Sequence, residues 1–390
     1  MPLDYTAIQS QLHILSGQVL EKQKLEHERT AQAAILLDSL TGQNDQSRER
    51  ILQAAADNAN LRSAIPTDEE ITATFLPSDI FRDYTLFAAD GSQVHPSRHD
   101  AIPFGVINIG VFRLSSDVQI PPAEIVETEL LTLDILYTEF GLMGEEVIAL
   151  RRDLAERKKL ASLASAVEGT VLALTDGPLE LFRDPQSNKN TQHEFAEYMD
   201  VLHQLAGLGT ITAGYVDRPG SDLVVRMLEI LKLPADEIAN AGRSRPLAPL
   251  SDAALFQNRI PGSARSAIFA IQSRSALQFK DETALHFFYL NTGTTDHPAL
   301  ARVEIPAWVA GSQESVSLLH SVLIDQCRHL GLRPYPYALH RSHEIALVSF
   351  TDKSQIETMI GQAIMAHGMT PPAPSNKQSA KNLSGRTRVQ

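Results

Sequence analysis

Two Asp-Gly pairs stand directly after apolar runs. Asp90 and Gly91, within Ala89-Asp90-Gly91-Ser92, follow Leu86-Phe87-Ala88; Asp176 and Gly177, within Thr175-Asp176-Gly177-Pro178, follow Val171-Leu172-Ala173-Leu174. Runs this apolar read as strands buried on both faces, and open α/β sheets assemble their sites where such strands end. Glycine after the aspartate fits a sharp exit, because it tolerates a positive φ. Two carboxylates brought from different strands to one edge of a sheet supply the hard oxygen donors that manganese and magnesium prefer. The single cysteine and the lack of a close histidine-rich cluster disfavour structural zinc. Two plain surface turns would give the same residues without any chemistry.

The elements that would carry these residues follow from periodicity. From about Tyr5 to Ala64 the chain has no proline, and Ile8, Leu12, Leu15 and Val19 fall at helical spacing, so a helical hairpin or helix pair is expected there. Three strands, Tyr84 to Ala89, Phe104 to Leu114 and Glu124 to Leu131, are separated by gaps too short for crossover helices and read as an antiparallel meander. A long charged helix is expected from Glu139 to Glu168. Strand Thr170 to Thr175, helix Gln192 to Ala206 and strand Thr210 to Val216 then alternate as α/β units do. Ser221-Asp222 opens a further helix. Beyond Lys232 strands are expected at Ala267 to Gln272 and Leu285 to Leu290, a helix at Glu314 to Leu330 and a short apolar segment at Ile345 to Phe350. Three antiparallel strands followed by strand-helix alternation is the order of a ribonuclease H-like mixed sheet flanked by helices. The expected organisation is an N-terminal helical segment, 1–66, a main domain, 67–369, and a basic tail, 370–390, too polar to bury a core.

Composition bounds the function classes. With 390 residues and 43% hydrophobic content the chain can bury one large core or two smaller ones. Cys327, alone, excludes an intrachain disulfide framework and fits a reducing, cytoplasmic compartment. No apolar run approaches the ~18 residues of a membrane span, and Met1-Pro2-Leu3-Asp4-Tyr5 lacks the basic-then-apolar order of a signal peptide. A net charge of −13 argues against general adhesion to nucleic acid. A local basic path is still available, because between Ala241 and Lys280 the cations Arg243, Arg245, Arg259, Arg265, Arg274 and Lys280 face only Asp252. Asp217-Arg218-Pro219-Gly220 follows an expected strand, and Arg218 can match a phosphate bidentately.

Taken together the motifs resemble the NurA nucleases. The residues that carry the resemblance are Ala89-Asp90-Gly91-Ser92, the helix with Arg152 and Glu156 about twenty residues before Thr175-Asp176-Gly177-Pro178-Leu179, Ala213-Gly214-Tyr215-Val216, and Tyr335-Pro336-Tyr337-Ala338-Leu339 running to His343. The resemblance spans roughly Tyr84 to Phe350. It implies a manganese-dependent DNA nuclease of ribonuclease H-like fold, a 5'-3' exonuclease and single-strand endonuclease, homodimeric and partnered with the hexameric HerA translocase in DNA end resection and repair. Asp90 matches the aspartate of the first motif and Asp176 that of the second, Glu156 the helix glutamate, and Tyr335 and His343 the late tyrosine and histidine. Asp153, Glu145 and Glu146 are rivals for the glutamate, and His340 for the histidine.

The chemistry of phosphodiester hydrolysis suits these assignments. An anionic diester resists hydroxide, so hydrolysis near neutral pH needs charge neutralisation and an activated water, which two cations about 4 Å apart supply. Asp90, Asp176 and Glu156 would be ligands, and His343 would ligate or transfer a proton. Arg218, with Arg259, Arg265 and Arg274, would contact DNA. A noncatalytic adaptor of the same fold, docking on a translocase, is the alternative; retention of both Asp-Gly motifs and the late histidine favours the enzyme.

Overall fold

The computed structural model describes residues 4–79, 83–97, 100–138, 141–181, 189–331 and 333–370; the expected tail lies outside them apart from its first residue. In chain order, helices α1 (Tyr5–Asp38) and α2 (Asn44–Asp57) lead into β1 (Ser63–Pro66), then β2 (Tyr84–Val94), β3 (Gly105–Ser115) and β4 (Ala123–Leu131). Next come α3 (Glu145–Ser165), β5 (Thr170–Asp176), α4 (Lys189–Gly207), β6 (Ile211–Asp217) and α5 (Leu223–Lys232). Strands β7 (Phe269–Gln272), β8 (Leu285–Asn291) and β9 (Leu300–Pro306) precede helices α6 (Gln313–Arg328), α7 (Tyr337–Ala346) and α8 (Phe350–Ala366).

These elements fall into two compact units. One comprises Met1–Phe81, Gly177–Arg183 and Ile211–Pro336; the other comprises Arg82–Asp176, Asp184–Thr210 and Tyr337–Gln390. In the first, α1 and α2 pack on α5, and five strands pair in the order β1-β7-β8-β9-β6, antiparallel throughout. Strands β7 and β8 are buried along most of their length, with Phe269 and Phe287 stacked at 5.7 Å. Several polar groups sunk in this unit are paired. Asp252, for example, accepts from the first turn of α5 at Val224 N and Val225 N and from Tyr289 Oη.

The second unit is the mixed sheet. Its strands run β5-β2-β3-β4: β2 lies antiparallel to β3, β3 to β4, and β5 parallel to β2. Helices cover both faces, and two glycines reveal which helix lies where. A Cβ on Gly91 would meet Arg152 and Glu156 of α3, whereas one on Gly110 would lie 2.5 Å from Ala346 N and 2.6 Å from Ser342 O of α7. Gly110 is the register partner of Asp90, so α7 covers the face that Asp90 occupies and α3 the face of Gly91. Cover on both sides explains why β3 is buried from Gly105 to Phe112 and carries no polar-apolar alternation. Edge strand β4, with Glu124, Glu127 and Glu129, stays mostly exposed.

Several expectations need correction. Asp90 does not end its strand: β2 runs on to Val94, and Gly91 sits in extended backbone with no positive φ. Its small size is used instead for the close approach of α3. Gly177 does have φ +83° and makes the expected turn. Strand β9 was missed, although Leu300 to Pro306 is a buried strand, because Arg302 and Glu304 interrupt its apolar run. The expected apolar segment from Ile345 to Phe350 is the junction between α7 and α8, where Ser349 caps α8 by accepting from Asp352 N.

Candidate active site

Four expected site residues lie in the mixed-sheet unit, around the end of one strand pairing. Ala89 and Thr175 are register partners, so Asp90 and Asp176, one residue further on, lie side by side at the C-terminal end of the parallel β2-β5 pairing. Asp90 is 16% exposed in its side chain and its Oδ1 accepts from Gly91 N at 2.8 Å. Its Oδ2 lies 2.7 Å from His343 Nδ1, which reaches in from α7 with 57% of its side chain exposed. His340 instead faces Glu344 one turn on, with 3.6 Å between Nε2 and Oε1. Of the two late histidines, His343 is therefore the one joined to Asp90, because α7 turns only that residue onto the strand.

Glu156 reaches the same region from the other face, over the bare backbone of Gly91. It is 3% exposed and lies 3.4 Å from Arg152 Nε and 3.7 Å from Arg157 Nη1. Arg157 is buried as well, with its guanidinium 4.9 Å from the Tyr198 ring centroid. The charged residues of this stretch divide between the two sides of the helix: Lys158 pairs with Glu197 outside, while Glu156 and Arg157 turn inward. Of the rivals, Asp153 binds Arg152 at 2.7 Å, and Glu145 and Glu146 stand in the first turn of α3, more than two turns before Glu156.

Burial pushes the Glu156 carboxyl up to about 8. The charges of Asp153 and Asp90 push the same way, and those of Arg157 and Arg152 oppose them. The folded chain therefore holds a proton there that the unfolded chain releases above about pH 4.5, so stability falls as pH rises from that value through about 8. Glu156→Gln should flatten this slope in metal-free protein. Thermal melts between pH 5 and 9 check it, and an unchanged slope in the variant would assign the pH dependence elsewhere.

The turn after Asp176 is built from the first unit. Gly177 N donates to Tyr215 O at 2.8 Å, and Leu179 N and Glu180 N both donate to the buried Glu304 Oε2. A Cβ on Gly214 would stand 2.6 Å from Gly177 O, which accounts for the glycine in Ala213-Gly214-Tyr215-Val216. Tyr335 packs edge-on against Tyr215 with centroids 5.4 Å apart.

The basic path is largely neutralised by acids distant in sequence. Arg265 is 1% exposed, bound at both Nη atoms to Glu69 and held 4.0 Å from the Phe75 ring centroid, so it is a core ion pair closed to any phosphate. Arg259 pairs with Asp38, and Arg245 with Asp222 and Glu229. Arg274 is exposed. Arg218 is 90% exposed and has φ +45°, an uncommon conformation for a non-glycine residue.

A model of the NurA domain family matches residues 84–348 of the chain, from the start of β2 to just beyond α7. The chain belongs to the NurA family. No curated protein matches it in sequence. Among solved structures, the NurA nuclease from Sulfolobus solfataricus is similar at 12% identity with a TM-score of 0.47, over 85% of this chain and 97% of that one. A second NurA structure gives 10% identity and 0.40 over 81% and 97%. The catalytic domain of human Endonuclease V gives 11% and 0.30 over 80% and 96%. The NurA domain holds all of Asp90, Glu156, Asp176, Tyr335 and His343, and leaves α1, α2, β1 and α8 outside.

Sequence reading missed two residues that the geometry brings into play. Asn108 and Gly110 lie on β3 beside Ser92 and Asp90. Their signal was a polar residue and a glycine inside the otherwise apolar run from Phe104 to Phe112.

Proposed function

We propose that this chain is a divalent-metal-dependent nuclease that hydrolyses DNA phosphodiester bonds. The observation that carries the reading is the pairing register that sets Asp90 beside Asp176, with His343 bonded to Asp90 and Glu156 laid over Gly91. The donor set fits manganese, and magnesium as well, being carboxylate oxygens with one imidazole nitrogen. Among the described residues no three His, Cys, Asp or Glu side chains stand close enough together to hold an ion as they are placed. Asp90, Asp176 and Glu156 would hold the cations, with His343 as a further donor or proton carrier, and bound cations supply charge neutralisation and an acidified water.

The chain's own groups do the rest. Asp90 Oδ2, accepting from His343 Nδ1, fixes the ring orientation and leaves Nε2 as the nitrogen with the lone pair. Nε2 is the group suited to take the proton from the attacking water as the P–O bond breaks. Arg152, which bonds Asp153 and Gln93, keeps a cation at the edge of the site. Arg218 and Arg274 are the exposed arginines assigned to phosphate contact, and Tyr335 is assigned to orient phosphate or water. Arg265 and the paired Arg259 are not needed for this role.

Strand polarity and assembly belong to the same proposal: a 5'-3' exonuclease and single-strand endonuclease, cytoplasmic, partnered with a HerA-type hexameric translocase in end processing. Among the described residues no helix is long and apolar enough to cross a membrane. Homodimerisation is supported by α1, where Ile8, Leu12, Leu15 and Val19 form one stripe, all exposed. Light scattering at micromolar concentration should give twice the chain mass, and replacing the four by serine should halve it. A monomeric wild type would end the dimer assignment.

The test of function is incubation of purified protein with end-labelled single- and double-stranded DNA, with manganese, with magnesium and with chelator. Cleavage in either metal and none with chelator is the expected outcome. No cleavage under any metal would transfer the reading to a noncatalytic adaptor.

A further inference from the structure

Helix α7, which brings His343 to Asp90, is bonded to the sheet at its C-terminal end. Ala346, the last residue of α7, has its carbonyl oxygen bonded twice, by Ser92 Oγ from β2 and by Asn108 Nδ2 from β3 at 2.8 Å. Asn108 is buried, and its Oδ1 accepts from Thr128 Oγ1 of β4 at 2.6 Å, which fixes the amide with its nitrogen toward the helix. Ser92 is the register partner of Asn108, and Asn108 of Thr128, so the three form a polar row across three strands. The next row begins with Asp90 and its partner Gly110, on which the helix backbone rests.

The spacings are compatible. Ser92 and Asp90 are two residues apart, roughly 7 Å along a strand, and Ala346 and His343 three apart, about 4.5 Å along the helix axis, a difference within the reach of the imidazole side chain. Holding the Ala346 carbonyl over the first row therefore sets His343 over the second. The carbonyls of a helix's last turn have no intrahelical partner, so two donors here satisfy an oxygen that water would otherwise serve.

We infer that Ser92 and Asn108, steadied by Thr128, are positioning residues that hold α7 in the one register where His343 Nδ1 donates to Asp90. The catalytic consequence rests on the nuclease reading above; the positioning itself does not. Loss of one donor lets the end of the helix lift or slide, and His343 then spends less time bonded to the carboxylate.

The experiment uses metal-free full-length protein labelled with 15N-histidine. Long-range 1H–15N spectra report which ring nitrogen carries the proton, and His343→Gln assigns the signal among the 13 histidines. In the wild type His343 should be the Nδ1–H tautomer. In Asn108→Ala and, independently, Ser92→Ala it should move toward the ordinary Nε2–H form, while manganese-dependent kcat falls about tenfold and KM for DNA is unchanged. Should Asn108→Ala fail to fold, Ser92→Ala reads both quantities alone. Wild-type tautomer and turnover in the folded variants overturn the inference, even if their Tm falls. A wild type that never cleaves fails the nuclease reading, and the tautomer result still decides the grip.

Discussion

Asp90→Ala and Asp176→Ala should each reduce metal-dependent DNA cleavage to the level of the chelated control, with Tm within a few degrees of wild type. The two carboxylates stand at one end of a parallel strand pair, Asp90 mostly buried and Asp176 exposed. Neither is needed to close the sheet, since the register from Tyr84 to Ala89 against Thr170 to Thr175 is complete before either begins. The double variant should be no slower than the singles, because groups that act as a unit fail together. Asp90→Asn separates charge from shape: the amide keeps the side chain's size and one acceptor oxygen, enough for the Gly91 bond or the His343 bond, but cannot neutralise a cation, so it should fail as Ala does. Multiplicative losses in the double variant, or substantial cleavage by either single, would dissolve the shared site.

His343→Ala should lower kcat about a hundredfold with little change in KM, and His340→Ala less than about threefold. His343 is bonded to Asp90, whereas His340 shares the exposed side of α7 with Glu344. Tyr335→Phe should fall between them if its hydroxyl orients phosphate or water. Steady-state cleavage of a labelled duplex and a labelled single strand ranks the three. An essential His340 beside a dispensable His343 would contradict the helical register of α7 and leave the two aspartates where they are.

The α/β alternation and the three-stranded meander were readable because apolar runs and short gaps leave few alternatives. The placing of Asp90 beside Asp176 was readable for the same reason: each follows a buried apolar run. Gly91 was misread, since Asp-Gly is a turn signal only where the chain turns, and nothing local says that a helix will press on that glycine. The ends of the late helices were unreadable from periodicity, because α7 is ten residues long with mixed polarity and is held by distant Ser92 and Asn108. The basic path failed as a linear count, because the partners of Arg245, Arg259 and Arg265 come from elsewhere in the chain. Family resemblance supplied the late histidine, and the fold shows how some 250 residues of intervening chain close on Asp90.

Gly91 and Gly110 make the sheet locally thin. One beside Asp90 and one across from it, they remove the spacer on opposite faces, so that α3 and α7 each come down to bare backbone at the same place. A single methyl at Gly110 would lie under 3 Å from the backbone of α7 and pry that layer away, and one at Gly91 would force the Arg152 and Glu156 side chains out of place. Variants at these two positions cannot trade activity against stability as surface changes do. Any residue added there costs both at once, and a lineage that abandoned catalysis could relax the aspartates first while still being obliged to keep the glycines.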